Sequence, residues 1–307
     1  MIQNFETVAT QWKISKRPYV KNSTYSVYIQ LCNKHLIPRF GAGQQPDQQQ
    51  VQSFVDQMLE QGYALKTVKD TLLVLRMILR FGERSGNWTH LELNIHFPTQ
   101  SEIPRQLVTL SQASQKQLLS HLRAHFSFPN LGILICLQSG LRIGEVCGLQ
   151  WKDLDPEAGV IRVNKTVQRI YLADGAEHAY FLSIDTPKTL SSIREIPLSS
   201  ELKTLLKPLR KVMQPDYYVV SNAPRPLEPR HLRDYFYRLQ KKLNLPPVRF
   251  HALRHSFATR CIESKCDYKT VSVILGHASI STTLDLYVHP GFDQKKRCID
   301  RLTRSMK

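Results

Sequence analysis

The chain has 307 residues, 42% of them apolar, with a net charge of +17; it is long enough for two cores of ordinary size and too apolar for a disordered chain. The basic surplus is concentrated in residues 201–307, which carry 21 basic and 9 acidic side chains, and this points to a polyanionic partner, nucleic acid first, with a solvated basic surface as the alternative. The longest apolar run, 131–137, is too short to cross a bilayer, and six cysteines with no CxxC pair, in a chain without a signal-like start, read as reduced thiols of a cytoplasmic protein.

In chain order, residues 5–96 read as helices only. Trp12, Tyr19, Tyr25, Tyr28, Leu31 and Leu36 recur at helical spacing, Ser23 and Thr24 offer an N-cap, 41–50 is a glycine- and glutamine-rich loop, and 65–81 is a strong amphipathic helix. Lys13, Lys16, Arg17 and Lys21, with the hydroxyls of Ser23 and Thr24, suit phosphate contacts or simply a solvated first turn. The stretch 97–105 carries two prolines and no periodicity, so the linker is placed at 99–108, between a helical domain 1–98 and a second domain 109–307. There, Ser111 caps a helix over 112–124 and a buried helix covers 130–139. Runs 160–167, 180–184 and 194–198 alternate like strands. Helices resume from about 199, broken at Pro215, Pro224–Pro226 and Pro246–Pro247. The expected fold is mainly α, with a small antiparallel β-sheet in the second domain.

Chemistry concentrates in a few segments. Arg142 follows Gly140 in a turn after the buried helix, Lys188 sits at an expected hairpin tip, His251 and Arg254 share one face of a helical turn, and His277 precedes Tyr287 by ten residues, at an expected helix start. Arginines bind two phosphate oxygens with a planar fork and keep their charge. A phenol of ordinary pKa near 10 needs such surroundings to attack a phosphodiester, and the leaving oxygen needs a proton that a lysine can deliver. Each residue also has a plain alternative. A lone tyrosine is usually a core or rim side chain, His255 and His289 read as structural, and Arg225, Arg230, Arg233, Arg238, Lys241 and Lys242 read equally as the wet face of helix 228–243 or as phosphate contacts. His251, His255, Cys261 and Cys266 lack a closed four-ligand zinc pattern.

The segments SGLRIGEVCGLQWKDLD (139–155), TPKTLSSIREIPL (186–198), FHALRHSFATR (250–260) and LGHASISTTLDLYVH (275–289) resemble, in order and spacing, the signature segments of the tyrosine recombinases, or phage-integrase family. The resemblance runs from about 110 to 290; residues 5–96 resemble more weakly that family's helical core-binding domain. It implies a catalytic set of Arg142, Lys188, His251, Arg254, His277 and Tyr287. Tyr287 would form a 3′-phosphotyrosyl link, Arg142 and Arg254 would clamp the non-bridging oxygens, and Lys188 would protonate the 5′-oxygen. His251 would assist proton transfer with the nucleophile, His277 would donate to the scissile phosphate, and Glu145 would buttress the site. The covalent link conserves bond energy, so no cofactor or metal ion is implied. Lys265 stands where the family often has glycine, and the absence of a further small domain ahead of residue 5 points to a simple DNA site.

The implied partners are double-stranded DNA and three further copies of the chain, with tail 292–307 docking on a neighbouring subunit, and an excisionase or a host DNA-bending protein as accessories. The implied role is integration and excision of a mobile element, with Xer-like chromosome-dimer resolution as the alternative within the class. A catalytically silent DNA-binding regulator would not require all six residues. A metal-dependent nuclease would need clustered carboxylates, which the sequence does not offer.

Overall fold

The structure, a computed structural model, describes residues 3–98, 108–171, 180–186 and 192–287, together with 296, 299, 300 and 302. The chain divides into two compact units, one of residues 1–104 and 170–181, the other of 105–169 and 182–307. Each has its own core.

In the first unit, α1 (Phe5–Lys16) is capped by Asn4, whose side chain accepts from the Thr7 N–H. Then come α2 (Asn22–Leu31), a π-turn over Cys32–Leu36, the short α3 (Ile37–Phe40), α4 (Gln48–Glu60) and α5 (Leu65–Arg84). Ser23 and Thr24 lie inside the first turn of α2; its cap position is Lys21, without a side-chain bond. The expected loop 41–50 is shorter than its composition suggests, because Asp47 and Gln50 form a capping box that starts α4 at Gln48. Trp12 and Leu36 are buried, whereas Tyr19 is exposed.

Helix does not continue to residue 96. After α5 the chain is non-helical over 87–98, and three glutamines tie that segment down with paired side-chain amide bonds to its backbone. Gln45 accepts from the Thr89 N–H (3.1 Å) and donates to its carbonyl (2.8 Å). Gln48 does the same with Asn94, and Gln52 with His96 at 3.0 and 3.1 Å. A primary amide offers the same donor and acceptor as a peptide unit, so each glutamine acts as a one-residue strand partner. At the head of the segment the Trp88 indole seats on Gly82 of α5, where a Cβ would overlap it, and stacks on Phe5 at 5.8 Å.

The second unit is built around α7 (Phe128–Ser139), capped by Ser127 and buried along most of its length. Around it pack α6 (Gln112–Ala124), capped by Ser111 as its sequence predicts, and α8 (Ile143–Gly148). The strands of the chain are β1 (Leu154–Asp155), β2 (Val160–Val163), β3 (Thr166–Tyr171), β4 (Tyr180–Asp185) and β5 (Arg194–Pro197), of which residues 170–171 and 180–181 are counted with the first unit. They form two sheets, an antiparallel β1-β2-β5 sheet with Ile161 opposite Ile196 and a β3-β4 pair. The expected single strand 160–167 is divided at Asn164–Lys165. There the buried Asp153 carboxylate accepts from the Asn164 amide (3.2 Å) and the Lys165 ammonium (2.9 Å), and two side chains drawn to one buried acid cannot keep strand alternation.

The remaining helices are α9 (Ser200–Val212), α10 (Pro229–Lys242), α11 (His251–Glu263), α12 (Tyr268–Leu275) and α13 (Ile280–Tyr287). Among the described residues no helix is long and apolar enough to cross a membrane.

Helix α11 ends with Lys265 in the left-handed region at φ 62°. Its N–H bonds the Ile262 carbonyl, and that of Cys266 bonds the Cys261 carbonyl, both at 2.9 Å, the hydrogen-bond pair of a Schellman ending. A side chain there strains the backbone where glycine would not. Lys265→Gly should therefore stabilise the chain by up to about 1 kcal/mol, read as a higher urea midpoint at unchanged slope; a lower midpoint would show that the lysine side chain outweighs the backbone strain.

Candidate active site

The site is assembled from turns at helix ends. Helix α7 stops at Gly140, left-handed at φ 67°, where a Cβ would collide with Phe257 and Leu275. The turn delivers Arg142 in extended conformation at the cap of α8. Three residues on, Glu145 is almost wholly buried, and it accepts from the Arg142 backbone N–H (2.9 Å), Arg142 Nη1 (2.9 Å), Arg194 Nη1 (3.2 Å) and Arg194 Nη2 (3.0 Å). Burial pushes the Glu145 carboxyl up, but hydrogen bonding and charge from Arg194, then from Arg142, outweigh it and hold the group below the usual carboxylate range.

The guanidinium groups also reach across elements. Arg194 Nε donates to the Ile274 carbonyl (2.6 Å), and Arg142 Nη2 lies 3.4 Å from that of Gly276. Arg254, 1% exposed, donates Nη1 to the Gly140 carbonyl (2.9 Å). Its Nη2 is buried with no hydrogen-bond partner among the described residues. Burial, then repulsion from Arg142, lowers its pKa to about 10, so it stays cationic at neutral pH. A buried guanidinium nitrogen without an acceptor is costly unless an anion accepts its hydrogen bond.

His251 opens α11, and His255 follows one turn later with the two rings edge to face at 4.6 Å. His277 is not at a helix start as expected; it follows Gly276, the left-handed cap that ends α12, and its N–H donates to the Ser272 carbonyl (3.1 Å). Its Nδ1 meets the Thr283 hydroxyl at 2.8 Å. Desolvation, followed by charge from His255, Arg254 and Arg142, lowers His251 to about 4; desolvation, then Arg254, Arg142 and Arg194, does the same to His277. Both are neutral at pH 7.

Tyr287 is the last residue of α13, half-buried against the small apolar cluster of Ala258, Val271 and Leu275. Burial raises its phenol, while Arg254 and Arg142 pull it back down. Its hydroxyl lies 2.7 Å from Nδ1 of His255.

Of the six residues singled out in the sequence, Arg142 and Arg254 thus act electrostatically on His251, His277 and Tyr287. Lys188 lies outside the described residues, as do His289 and all of the 292–307 tail except Lys296, Ile299, Asp300 and Leu302. The sequence reading missed two members of the cluster. Arg194 passed as a strand residue, and the chain gives no local sign that it reaches Glu145, 49 positions away. His255 was read as structural; its spacing of four from His251 was the available signal. Among the described residues no three His, Cys, Asp or Glu side chains are grouped as a metal site. On α10, Arg230 and Arg233 flank Asp234 at 3.7 and 3.6 Å on the exposed face.

A half-buried phenol among guanidinium and imidazole groups, at the ends of short helices, defines a site for handling an anionic ester. The phage integrase family matches residues 103–294; the chain belongs to that family and is a tyrosine recombinase. It is 31% identical over 183 residues to the ICEBs1 integrase of Bacillus subtilis, covering 55% of this chain and 46% of that protein. To the transposase of transposon Tn916 from Enterococcus faecalis it is 30% identical over 220 residues, covering 66% and 52%. The chain thus spans about half the length of both relatives. It is 26% identical over 274 residues to a XerC-like tyrosine recombinase of Caldanaerobacter subterraneus, covering 82% and 70%. Among solved structures, the Tn1549 transposon integrase in complex with transposon right end DNA matches with TM-score 0.74 and 25% identity over 98% of this chain and all of that one. The lambda integrase dimer on a core site shares the fold, at TM-score 0.67 and 16% identity over 92% and 78%.

Glu145→Gln removes the one carboxylate that, among the described residues, pairs with Arg142 and Arg194 and should cost about 3 kcal/mol at pH 7. Because the folded pKa is depressed, the carboxylate's contribution is complete above the unfolded value near 4.3 and is lost as pH falls through the folded one. Denaturation curves of the native and variant chains should therefore diverge at neutral pH and converge in acid; a pH-independent gap would remove the charge from the account.

Proposed function

We propose that the chain breaks and rejoins DNA strands at a specific site through Tyr287, forming a 3′-phosphotyrosyl intermediate. The observation that carries this reading is the position of the Tyr287 hydroxyl: hydrogen-bonded to an imidazole and inside the field of Arg142 and Arg254. Arg254, with a buried Nη2 lacking an acceptor among the described residues, and Arg142 bind the non-bridging oxygens and stabilise the charge that builds on them during attack. His277, fixed through its Nδ1 contact with Thr283, donates from its other ring nitrogen to the phosphate. Lys188 protonates the departing 5′-oxygen, as the family resemblance implies. The phosphotyrosine stores the energy of the broken bond, so a second 5′-hydroxyl reseals the strand without ATP or a metal ion.

The biological role is integration and excision of a mobile element, supported by likeness to the integrase of ICEBs1 and the transposase of Tn916. Chromosome-dimer resolution is the second reading, favoured by the more extensive alignment with a XerC-like recombinase; sequencing recombined junctions separates the two. The working assembly is a tetramer on two duplexes, with the 292–307 tail docking in trans, residues 1–98 as the core-binding domain and 99–108 as the linker. An excisionase or a host DNA-bending protein joins it as an accessory partner.

Tyr287→Phe should abolish covalent attachment to a nicked suicide duplex while leaving duplex binding near native, and attachment by the native chain should persist in EDTA. Undiminished adduct in the phenylalanine variant, or its loss on chelation, overturns the assignment. Lys188→Ala should cleave ordinary DNA slowly but recover on a 5′-bridging phosphorothiolate, whose sulfur leaves without a proton. Equal defects on both substrates take Lys188 out of the acid role.

A further inference from the structure

We infer that Thr283 is a positioning residue of the cleavage reaction: its hydroxyl donates to Nδ1 of His277 and so holds that ring in the tautomer that carries its proton on Nε2, the nitrogen offered to the phosphate. The role rests on the proposed cleavage at Tyr287, in which His277 donates to the phosphate. Thr283 stands in the first turn of α13, six positions after His277, and is completely buried. Its Oγ1 is 2.8 Å from Nδ1. The backbone fixes the histidine end of this contact. The His277 N–H donates to the Ser272 carbonyl (3.1 Å) at the end of α12, and the Gly276 carbonyl just before it lies 3.4 Å from Arg142 Nη2.

A hydroxyl at this distance can give or accept the hydrogen bond, and its surroundings decide which. A helical threonine can turn its hydroxyl back to the carbonyl four positions earlier, as Thr71 does to Thr67 and Thr204 to Ser200, both at 2.9 Å. Thr283 does not; among the described residues its hydroxyl has one partner, Nδ1 of His277. With a proton on Nδ1, the ring would donate to Oγ1 and leave the hydroxyl hydrogen buried without an acceptor. That penalty disfavours this tautomer by about tenfold or more. With the proton on Nε2, the hydroxyl gives its hydrogen to the bare Nδ1 and both groups are satisfied.

The tautomer matters because the ring is neutral. Desolvation, then the charges of Arg254, Arg142 and Arg194, lowers the His277 pKa to about 4, so at pH 7 the ring carries a single N–H. An imidazolium would offer one at each nitrogen and need no selection. A neutral ring protonated on Nδ1 would turn a lone pair toward the phosphate oxygens and repel them, whereas Nε2–H supplies a hydrogen bond to charge that grows during attack. Thr283 itself takes up and releases no proton in the reaction. Its hydroxyl acts on the phosphate only through the His277 ring.

Two measurements separate this role from simple packing. In the full chain with nitrogen-15-labelled histidine, at pH 7 and without DNA, the His277 ring resonances are identified by their loss in His277→Ala. Nε2 should be protonated and Nδ1 bare; a proton on Nδ1 overturns the inference. Covalent adduct formation is then timed on a nicked suicide duplex carrying the crossover site, taken from sequenced junctions. Thr283→Val, which removes the hydroxyl at nearly constant volume, should slow the native chain by about tenfold or more, and Thr283→Ser should keep most of the native rate. In the slower His277→Ala background, timed over hours, Thr283→Val should change the rate by less than about twofold, since a residue acting through the ring has nothing left to act on. Native speed in Thr283→Val, a rate in Thr283→Ser no faster than in Thr283→Val, or an equal loss in both backgrounds overturns the inference alone. A native chain that forms no adduct overturns the proposed cleavage, while the ring spectrum still decides the tautomer.

Discussion

The buried carboxylate of Glu145 is the contact on which the site's geometry depends. It sits between Arg142 and Arg194 and accepts four hydrogen bonds from them. Removing a carboxylate from water costs several kcal/mol, repaid here by two guanidinium groups with well-formed geometry. The same arginines carry the constraint outward to the Ile274 and Gly276 carbonyls at the end of α12, while Arg254 ties α11 to the Gly140 carbonyl. Four elements that are distant in sequence are thus fixed relative to one another by polar bonds to one small region.

Charge in this region is deliberately uneven. Three guanidinium groups face one carboxylate, and every neighbouring histidine is driven toward its neutral form by desolvation and by that surplus. The excess positive field also acts on the phenol, where it opposes the effect of burial. One electrostatic imbalance therefore attracts an anion, offsets part of the burial that raises the phenol and keeps the imidazoles available as uncharged hydrogen-bonding groups.

What could be read from the sequence follows from the range of the interactions. The buried helix α7, the Ser111 cap and the turn at Gly140 depend on neighbours within a few positions, and they stand where periodicity and capping place them. The segments around Arg142, His251, Arg254, His277 and Tyr287 were recognisable because each carries several residues at fixed spacing. Arg194 and His255 leave no such trace because their contacts with Glu145 and Tyr287 exist only once β5 lies against α8 and α13 against α11. The division of the 160–167 strand has the same origin: Asp153 is too far back along the chain for a strand pattern to include it. Residues 87–98 were misread for another reason, since a glutamine side chain in the role of a strand partner leaves no periodic trace.

That glutamine contact separates position from identity. Gln48 and Gln52 bind the peptide groups of Asn94 and His96, and Gln45 binds that of Thr89 while also accepting from its hydroxyl at 3.2 Å. Any residue except proline keeps the donor and acceptor that the pairing needs. The outward side chains of this segment are therefore open to evolutionary exchange while its path stays anchored, so the molecule carries a surface whose chemistry can drift without redesign of the helices beneath it.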